Sequence, residues 1–396
     1  MNNGIAFYGG SFDPFTEGHR LCLCHAITNY DRVIVGVGRN PDKSVLLSPE
    51  QRVLLIKDAL ADFISMYKYA ELIGKEFSLV EKMAAERLIS YPDCVKVIVY
   101  EGLTVDAAIK NEAFVLIRGE RLVGDHDAEM QLAHINNELC KIRGYDLQTV
   151  IFPVSQIDLT YVSSTVVKNL MNEGEYIAAM KYVMPCVHNF LCEQMLKNRE
   201  YKQLTSGNMK YCGDLVRSYR KYKYHNFSHV AYMLNFLNIF CLMQPKVHVC
   251  KTEIMMATFW HDFEQRGENP EERSAEMASY VARYCLGYSD LVNKLVLATD
   301  HKNNRKLGED INLDLIHDLD LAILGDEQNY GRYSWSVMQE YTSFEGITGY
   351  SAERIKFLDE FLSRKRIYKT DYFYNRFEKI ARQNMKREKL FWQGAL

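Results

Sequence analysis

IAFYGGSFDPFTEGH, residues 5–19, decides the fold of the first half of the chain. An apolar run enters two glycines, continues as a polar loop, and reaches Gly18-His19 at the start of a helical pattern. Gly9 and Gly10 let the backbone approach a ligand closely, Ser11 offers a hydroxyl and an amide, and Pro14 stiffens the turn. The helix start adds N–H groups that can hold phosphate. Working outward, RVIVGVG (32–38), KVIVY (96–100), FVLIRG (114–119) and VIFPV (150–154) repeat the apolar run. Helical patterns start near Gly18 and Ser48 and cross Asp125 to Leu139. Continuous Val/Ile runs separated by helices predict an α/β domain, a doubly wound, Rossmann-like parallel sheet.

Beyond about Leu159 the strand pattern stops, and from Tyr176 long amphipathic stretches such as HVAYMLNFLNIF (229–240) and ERIKFLDEFLSRK (353–365) predict an all-α second half. The polar segment LKNREYKQLTSGN (196–208) places the junction near 198, giving domains 1–198 and 199–396. The stretch from Asp62 to Pro92 has no reading of its own.

With 396 residues, 47% of them hydrophobic and 25% charged, the chain can bury two cores. A net charge of -3 argues against a dedicated nucleic-acid binder. No apolar run approaches the roughly 20 residues of a membrane helix, and MNNGIAFYGG has no leader pattern, so a cytoplasmic protein without membrane partners is expected. The ten cysteines form no CxxC pair and are read as reduced. Cys22-Leu23-Cys24-His25, and Cys186, His188 and Cys192, are read as packing residues.

GGSFDPFTEGH (9–19) resembles the signature of nucleotidyltransferases with an HxGH-type motif, Thr16 standing in the first-His position. Within that superfamily, further strings resemble phosphopantetheine adenylyltransferases: NPDKSVLLSPEQR (40–52), GLTVDAA (102–108), IRGERLVGDHDAEMQLAHIN (117–136) and VSSTVVKNL (162–170). The resemblance spans about residues 4–185. It implies attack by the phosphate of 4'-phosphopantetheine on the α-phosphorus of ATP, with Mg²⁺ accompanying the nucleotide. It also implies roles residue by residue: His19, Lys43 and Arg118 on the phosphates, and Gly10, Ser11 and Phe12 in the cradle. Arg121 and Glu129 would line the nucleotide pocket, with Ser163, Ser164 and Thr165 at the leaving phosphates; Asp125 would cap or orient. Adenylyl transfer to nicotinamide mononucleotide is the alternative, since that branch shares the first and last motifs. The resembled enzymes commonly form hexamers, which makes a homo-oligomer possible.

In the second half, YHNFSHV puts His225 and His229 four apart, FWHDFE carries His261-Asp262, and HDLDLAILG carries Asp318 and Asp320. Two imidazoles with carboxylates form a mixed N/O donor set suited to Mn²⁺, Fe²⁺, Co²⁺, Ni²⁺ or Zn²⁺. Together with NPEERSA (269–275), these strings resemble the HD superfamily of metal-dependent phosphohydrolases over about 210–390. The resemblance implies His229, His261, Asp262 and Asp320 as ligands, with Asp318 the alternative to Asp320. His225 would face the phosphate or support a ligand. Glu271, Glu272 and Arg273 would supply a general base and a phosphate clamp, Glu272 being the chosen base, unless they are simply a polar helix start. His301 is a weaker phosphate-binding candidate. The implied substrate is a phosphorylated metabolite of unknown identity; a regulatory metal-binding module is the alternative.

Overall fold

A computed structural model describes residues 4–39, 45–120, 123–153, 162–288, 290–301 and 308–395. It divides into two compact units. The first takes in the described residues to Ala70, then Glu76–Glu173 and Ala178–His188; the second takes in Glu71–Lys75, Gly174–Ile177 and everything from Asn189 onward.

The first unit is built on β1 (Ile5–Gly10), α1 (Glu17–Asn29), β2 (Arg32–Arg39), α2 (Pro49–Lys68), α3 (Ala70–Ile73), α4 (Leu79–Ser90), β3 (Val95–Glu101), α5 (Thr104–Lys110), β4 (Val115–Glu120), α6 (Val123–Ile142), β5 (Gln148–Pro153) and α7 (Ser164–Glu173), although most of α3 belongs to the second unit. The five strands form one parallel sheet in the order β3-β2-β1-β4-β5. Phe7 is opposite Ile34 on one side and Leu116 on the other, and all three are buried. The chain winds outward from β1 through β2 to β3, then returns to β4 on the far side of β1. In an open α/β sheet such a reversal leaves a crevice at the carboxyl ends of the two strands flanking it, the place where ligands bind.

Helix starts are written locally. Thr16 with His19, Ser48 with Gln51, and Ser78 with Glu81 each form a reciprocal capping box at the starts of α1, α2 and α4. Glu81 also pairs with Arg20 across α4 and α1 at 2.7 Å, both side chains being 1% exposed. Arg20 bonds Glu17 as well, at 2.7 Å, and its guanidinium lies 4.6 Å from the Phe63 ring centroid on α2. Burial opposes both charges. The carboxylates nevertheless hold the Arg20 proton more tightly than usual, and Arg20 keeps the Glu81 carboxyl below its ordinary range.

The second unit is largely helical. After α8 (Tyr176–Met180) and α9 (Pro185–Leu196) come α10 (Lys202–Leu204), α11 (Cys212–Tyr219), α12 (Phe227–Met243), α13 (Lys251–Trp260), α14 (Pro270–Leu286), α15 (Asp290–Leu297), α16 (Ile311–Leu321), α17 (Tyr330–Ser363, broken at Gly346) and α18 (Asp371–Ala395). α12 is apolar on nearly every side and sits in the core. α17 and α18 are joined by a buried network: Arg354 donates to Glu388 at 2.8 and 3.0 Å, and Tyr330 and Trp392 donate to the same carboxylate. Residues 71–75 fit this unit closely. A side chain at Gly331 would meet the Ile73 carbonyl oxygen at 2.0 Å, so only glycine is accommodated there. Ile177 N donates to Asn235 Oδ1 at 3.0 Å. Among the described residues no helix is long and apolar enough to cross a membrane.

Candidate functional site

The loop leaving β1 lies at the crevice. Phe12 adopts φ 50 there, and its buried ring contacts Tyr8, Phe15 and His19 at centroid distances of 5.1, 5.8 and 5.1 Å. Phe12 therefore forms a wall that holds the histidine, and a side chain at Gly10 would strike the Phe12 ring at 2.9 Å. The His19 ring stacks on Phe15, and its Nδ1 accepts from the Thr16 amide at 3.0 Å. An Nδ1 that accepts leaves the proton on Nε2, so the neutral ring presents Nε2–H as a donor.

Two helix starts converge on this loop. α1 begins at Glu17, and Ser164 at the start of α7 donates to the Pro14 carbonyl at 2.8 Å. The Ser163 hydroxyl accepts from Val166 N, and Thr165 is exposed. Ser11 is exposed while its carbonyl accepts from Arg52 Nη1 at 2.6 Å. Gly10, Ser11, Phe12, His19 and the 163–165 triplet thus share one edge of the unit. Arg118, half-buried on β4, follows Ile117, the register partner of Tyr8. Lys43 and Arg121 lie outside the described residues, and Glu129 and Asp125 fall on α6 where side chains are not described.

Two residues of this edge had no assigned role. Asp13 is buried and accepts from Leu46 N at 2.9 Å, Leu47 N at 3.0 Å and Lys168 Nζ at 3.4 Å. Arg52, also buried, donates to the Ser11 and Gly38 carbonyls. Both stand inside the strings that carry the resemblance, and their burial was the missing signal.

In the helical unit, His229, His261 and Asp262 each place one donor atom within 4.8 Å of the others. Asp320 Oδ1 lies 3.0 Å from His229 Nε2 and 3.7 Å from His261 Nε2. Asp318 points elsewhere: wholly buried, it accepts from Lys369 N at 2.7 Å, Thr370 N at 2.6 Å and the Thr370 hydroxyl at 2.7 Å, anchoring the start of α18.

His261 Nδ1 donates to the Thr258 carbonyl at 3.0 Å, which turns the Nε2 lone pair toward the cluster. His229 Nδ1 meets the Tyr224 hydroxyl at 3.1 Å, and the two Nε2 atoms face each other at 3.2 Å. Facing imidazole nitrogens need a proton or a cation between them, and Asp262 Oδ2 stands 2.8 Å from His261 Nε2 and 3.5 Å from His229 Nε2. That donor set fits a divalent metal. Burial opposes every charge here, yet the imidazoles hold Asp262 down at about 2 and Asp320 well below the usual carboxylate range, while the aspartates raise His261 to about 9.

Around the cluster lies a cavity of about 510 Å³. His301 enters it, Nε2 lying 3.0 Å from Asp320 Oδ2. His225 lines it too and is held by Glu340 at 2.7 Å, whose other oxygen accepts from Lys223, Tyr224 and His225 amides. Glu340, 115 residues away from His225, carries no sequence signal. Glu271 lines the cavity, whereas Glu272 is exposed and accepts from Asn269 Nδ2 at 2.8 Å. Arg273 is exposed and 3.7 Å from Glu264.

Residues 7–170 match the cytidylyltransferase-like family. The chain is 34% identical to the phosphopantetheine adenylyltransferase of Allorhizobium ampelinum over 187 residues, 47% of this chain and 95% of that protein. It is 34% identical to the phosphopantetheine adenylyltransferase of Clostridium novyi over 176 residues, 44% of this chain and 88% of that protein. Among solved structures, a Plasmodium falciparum nicotinic acid mononucleotide adenylyltransferase complexed with NaAD matches at 16% identity and a TM-score of 0.26, covering 49% of this chain and 96% of that one. Fold and relatives together define a nucleotidyltransferase. Through its N-terminal half the chain belongs to the cytidylyltransferase-like family, alongside phosphopantetheine adenylyltransferases. The helical half has no family assignment from these matches.

Proposed function

We propose that the first unit transfers the adenylyl group of ATP to 4'-phosphopantetheine, yielding dephospho-CoA and pyrophosphate. The observation that carries this reading is the His19 ring, fixed by Thr16 so that Nε2–H is offered beside two helix N-termini. A phosphate oxygen of the acceptor forms a bond to the α-phosphorus, the bond from that phosphorus to the bridging oxygen breaks, and pyrophosphate carries the electron pair away. No covalent nucleophile is needed, so positioning and charge neutralisation do the work. His19 and the Ser163–Thr165 helix start hold the triphosphate, Arg118 and Lys43 neutralise phosphates of both substrates, and Arg121 and Glu129 line the nucleotide pocket. Mg²⁺ enters with ATP. Pyrophosphate release from ATP with phosphopantetheine or nicotinamide mononucleotide as acceptor tests this reading. Faster turnover with the mononucleotide would overturn it.

For the helical unit, the donor set supports a metal-dependent phosphohydrolase. His229, His261, Asp262 and Asp320 would hold Mn²⁺, Fe²⁺, Co²⁺, Ni²⁺ or Zn²⁺, and such an ion supplies an acidified water at neutral pH. Tyr224 and the Thr258 carbonyl orient the two imidazoles. His301 steadies Asp320, and Glu271 faces the cavity as the nearer candidate base. Elemental analysis with a phosphatase screen tests it, and a metal-free, inactive protein after reconstitution would refute it.

A further inference from the structure

The phosphohydrolase reading leaves its substrate open, and the following inference rests on that reading. The cavity has two unlike walls. One is the imidazole and carboxylate cluster; the other is aromatic, formed by Tyr333, Tyr341, Tyr350 and Phe357 of α17 with Phe361 beyond them. The Tyr341 and Tyr350 rings stand 6.4 Å apart and within 22° of parallel, and Trp392 backs Tyr350 edge-on at 5.2 Å. Tyr350 is only 4% exposed, and its buried hydroxyl has no hydrogen-bond partner.

Among the described lining residues lysine and arginine are scarce by contrast. Arg354 is the single Lys or Arg among the described lining residues. Its guanidinium is already committed, forked onto Glu388, bonded to the Tyr333 hydroxyl at 3.1 Å and stacked 4.7 Å over Phe357. Among the described lining residues, phosphate groups beyond the one at the cluster would face aromatic rings and the carboxylates of Glu264, Glu353 and Glu360, which is costly.

We infer that the cavity takes a phosphate monoester whose other end is a planar, uncharged aromatic group, the phosphate at the His/Asp cluster and the ring along the Tyr341–Tyr350 wall. Hydrolysis then forms a bond from a water oxygen to phosphorus and breaks the ester P–O bond. The alcohol leaves with a proton drawn from that water, and inorganic phosphate remains.

The test uses full-length, Mn²⁺-loaded protein with 2-phenylethyl phosphate, n-butyl phosphate and inorganic tripolyphosphate, the two esters having matched leaving groups. Their phosphonate analogues report binding without turnover. Expected is a kcat/KM for the phenylethyl ester at least about tenfold above the butyl ester, a smaller value still for tripolyphosphate, and a parallel difference in phosphonate Kd. Tyr341→Leu, at a half-buried position and with folding checked by an unchanged circular dichroism spectrum, lowers that ratio to below about threefold. Equal turnover of both esters, or preference for tripolyphosphate, overturns the inference while leaving the phosphohydrolase reading intact. Selective phosphonate binding without any turnover does the reverse, and neither binding nor turnover overturns both.

Discussion

At the head of the parallel sheet, most of the candidate site groups come from one contiguous loop and two helix starts. In the helical unit they arrive from four separate places: α12 for His229, the end of α13 for His261 and Asp262, α16 for Asp320, and the segment after α15 for His301. On the proposed reading, the first site would meet a polyanion with N–H groups and cations and would need no protein-held ion. The second gathers anionic and imidazole donors, which repel a phosphate unless a cation stands between. The comparison teaches that the two proposed chemistries should fail differently: the loop site would lose rate when one donor goes, while the cluster would lose its function outright without a bound ion.

The largest expected effect follows from that contrast. His261→Ala with Asp262→Ala leaves too few donors to outcompete water, so elemental analysis should find metal falling from one ion per chain to background. Phosphohydrolase activity should vanish, with dephospho-CoA synthesis kept within about twofold, because the cluster lies wholly in the other unit. Collapse of adenylyl transfer in a folded double mutant would erase the separation.

Next comes the scaffold of the first unit. Arg20→Ala strands Glu17 and Glu81, and breaking a buried pair in this way costs about 3–5 kcal/mol, readable as an earlier first transition in denaturant. The sign of the pH effect follows from Glu81, whose carboxyl is depressed by Arg20 against the opposing effect of burial. Its contribution is complete above the ordinary 4.5 and is lost as pH falls below it.

Within the loop site, His19→Ala should lower adenylyl-transfer kcat by about 10²–10³ with an unchanged circular dichroism spectrum. Near-normal turnover would remove His19 from the chemistry. Lys43→Ala should act on binding, raising KM for phosphopantetheine more than KM for ATP; equal shifts would count against its substrate-side role.

The smallest effect sharpens the helical site. Glu272 is exposed and tied to Asn269, so Glu272→Gln should change phosphohydrolase kcat by less than about twofold, with Glu271→Gln the more damaging of the two. A hundredfold loss at Glu272 would restore it as the base.

Much of this architecture was legible in the sequence because its signals are local. The Val/Ile runs name the strands, the glycine loop names the crevice, and Thr16 sits three residues before the histidine it fixes. Where partners are distant the sequence is silent. Arg20 and Glu81 are 61 residues apart, and the stretch from Asp62 to Pro92 had no reading because part of it exists to bury that pair. Asp318 and Asp320 share one helix two residues apart, and only the packing of Lys369 and Thr370 against Asp318 separates an anchor from a member of the cluster. His301 looked marginal because it lies outside any helix and its neighbour in the site is 19 residues away along the chain, on α16.

Residues 71–75 and 174–177 belong with the helical unit although they are threaded through the sequence of the other. A seam of this kind is not a point at which the chain can be cut. A fragment starting at residue 199 would lack Ile73, against which Gly331 is shaped, and Ile177, which Asn235 receives. Gene dissection at the apparent junction should therefore yield a helical piece with a gap in its surface and an idle amide acceptor. Joining the two units in one polypeptide is in this sense built into the packing of the helical unit, and recombining it with a foreign partner would require carrying both short segments along.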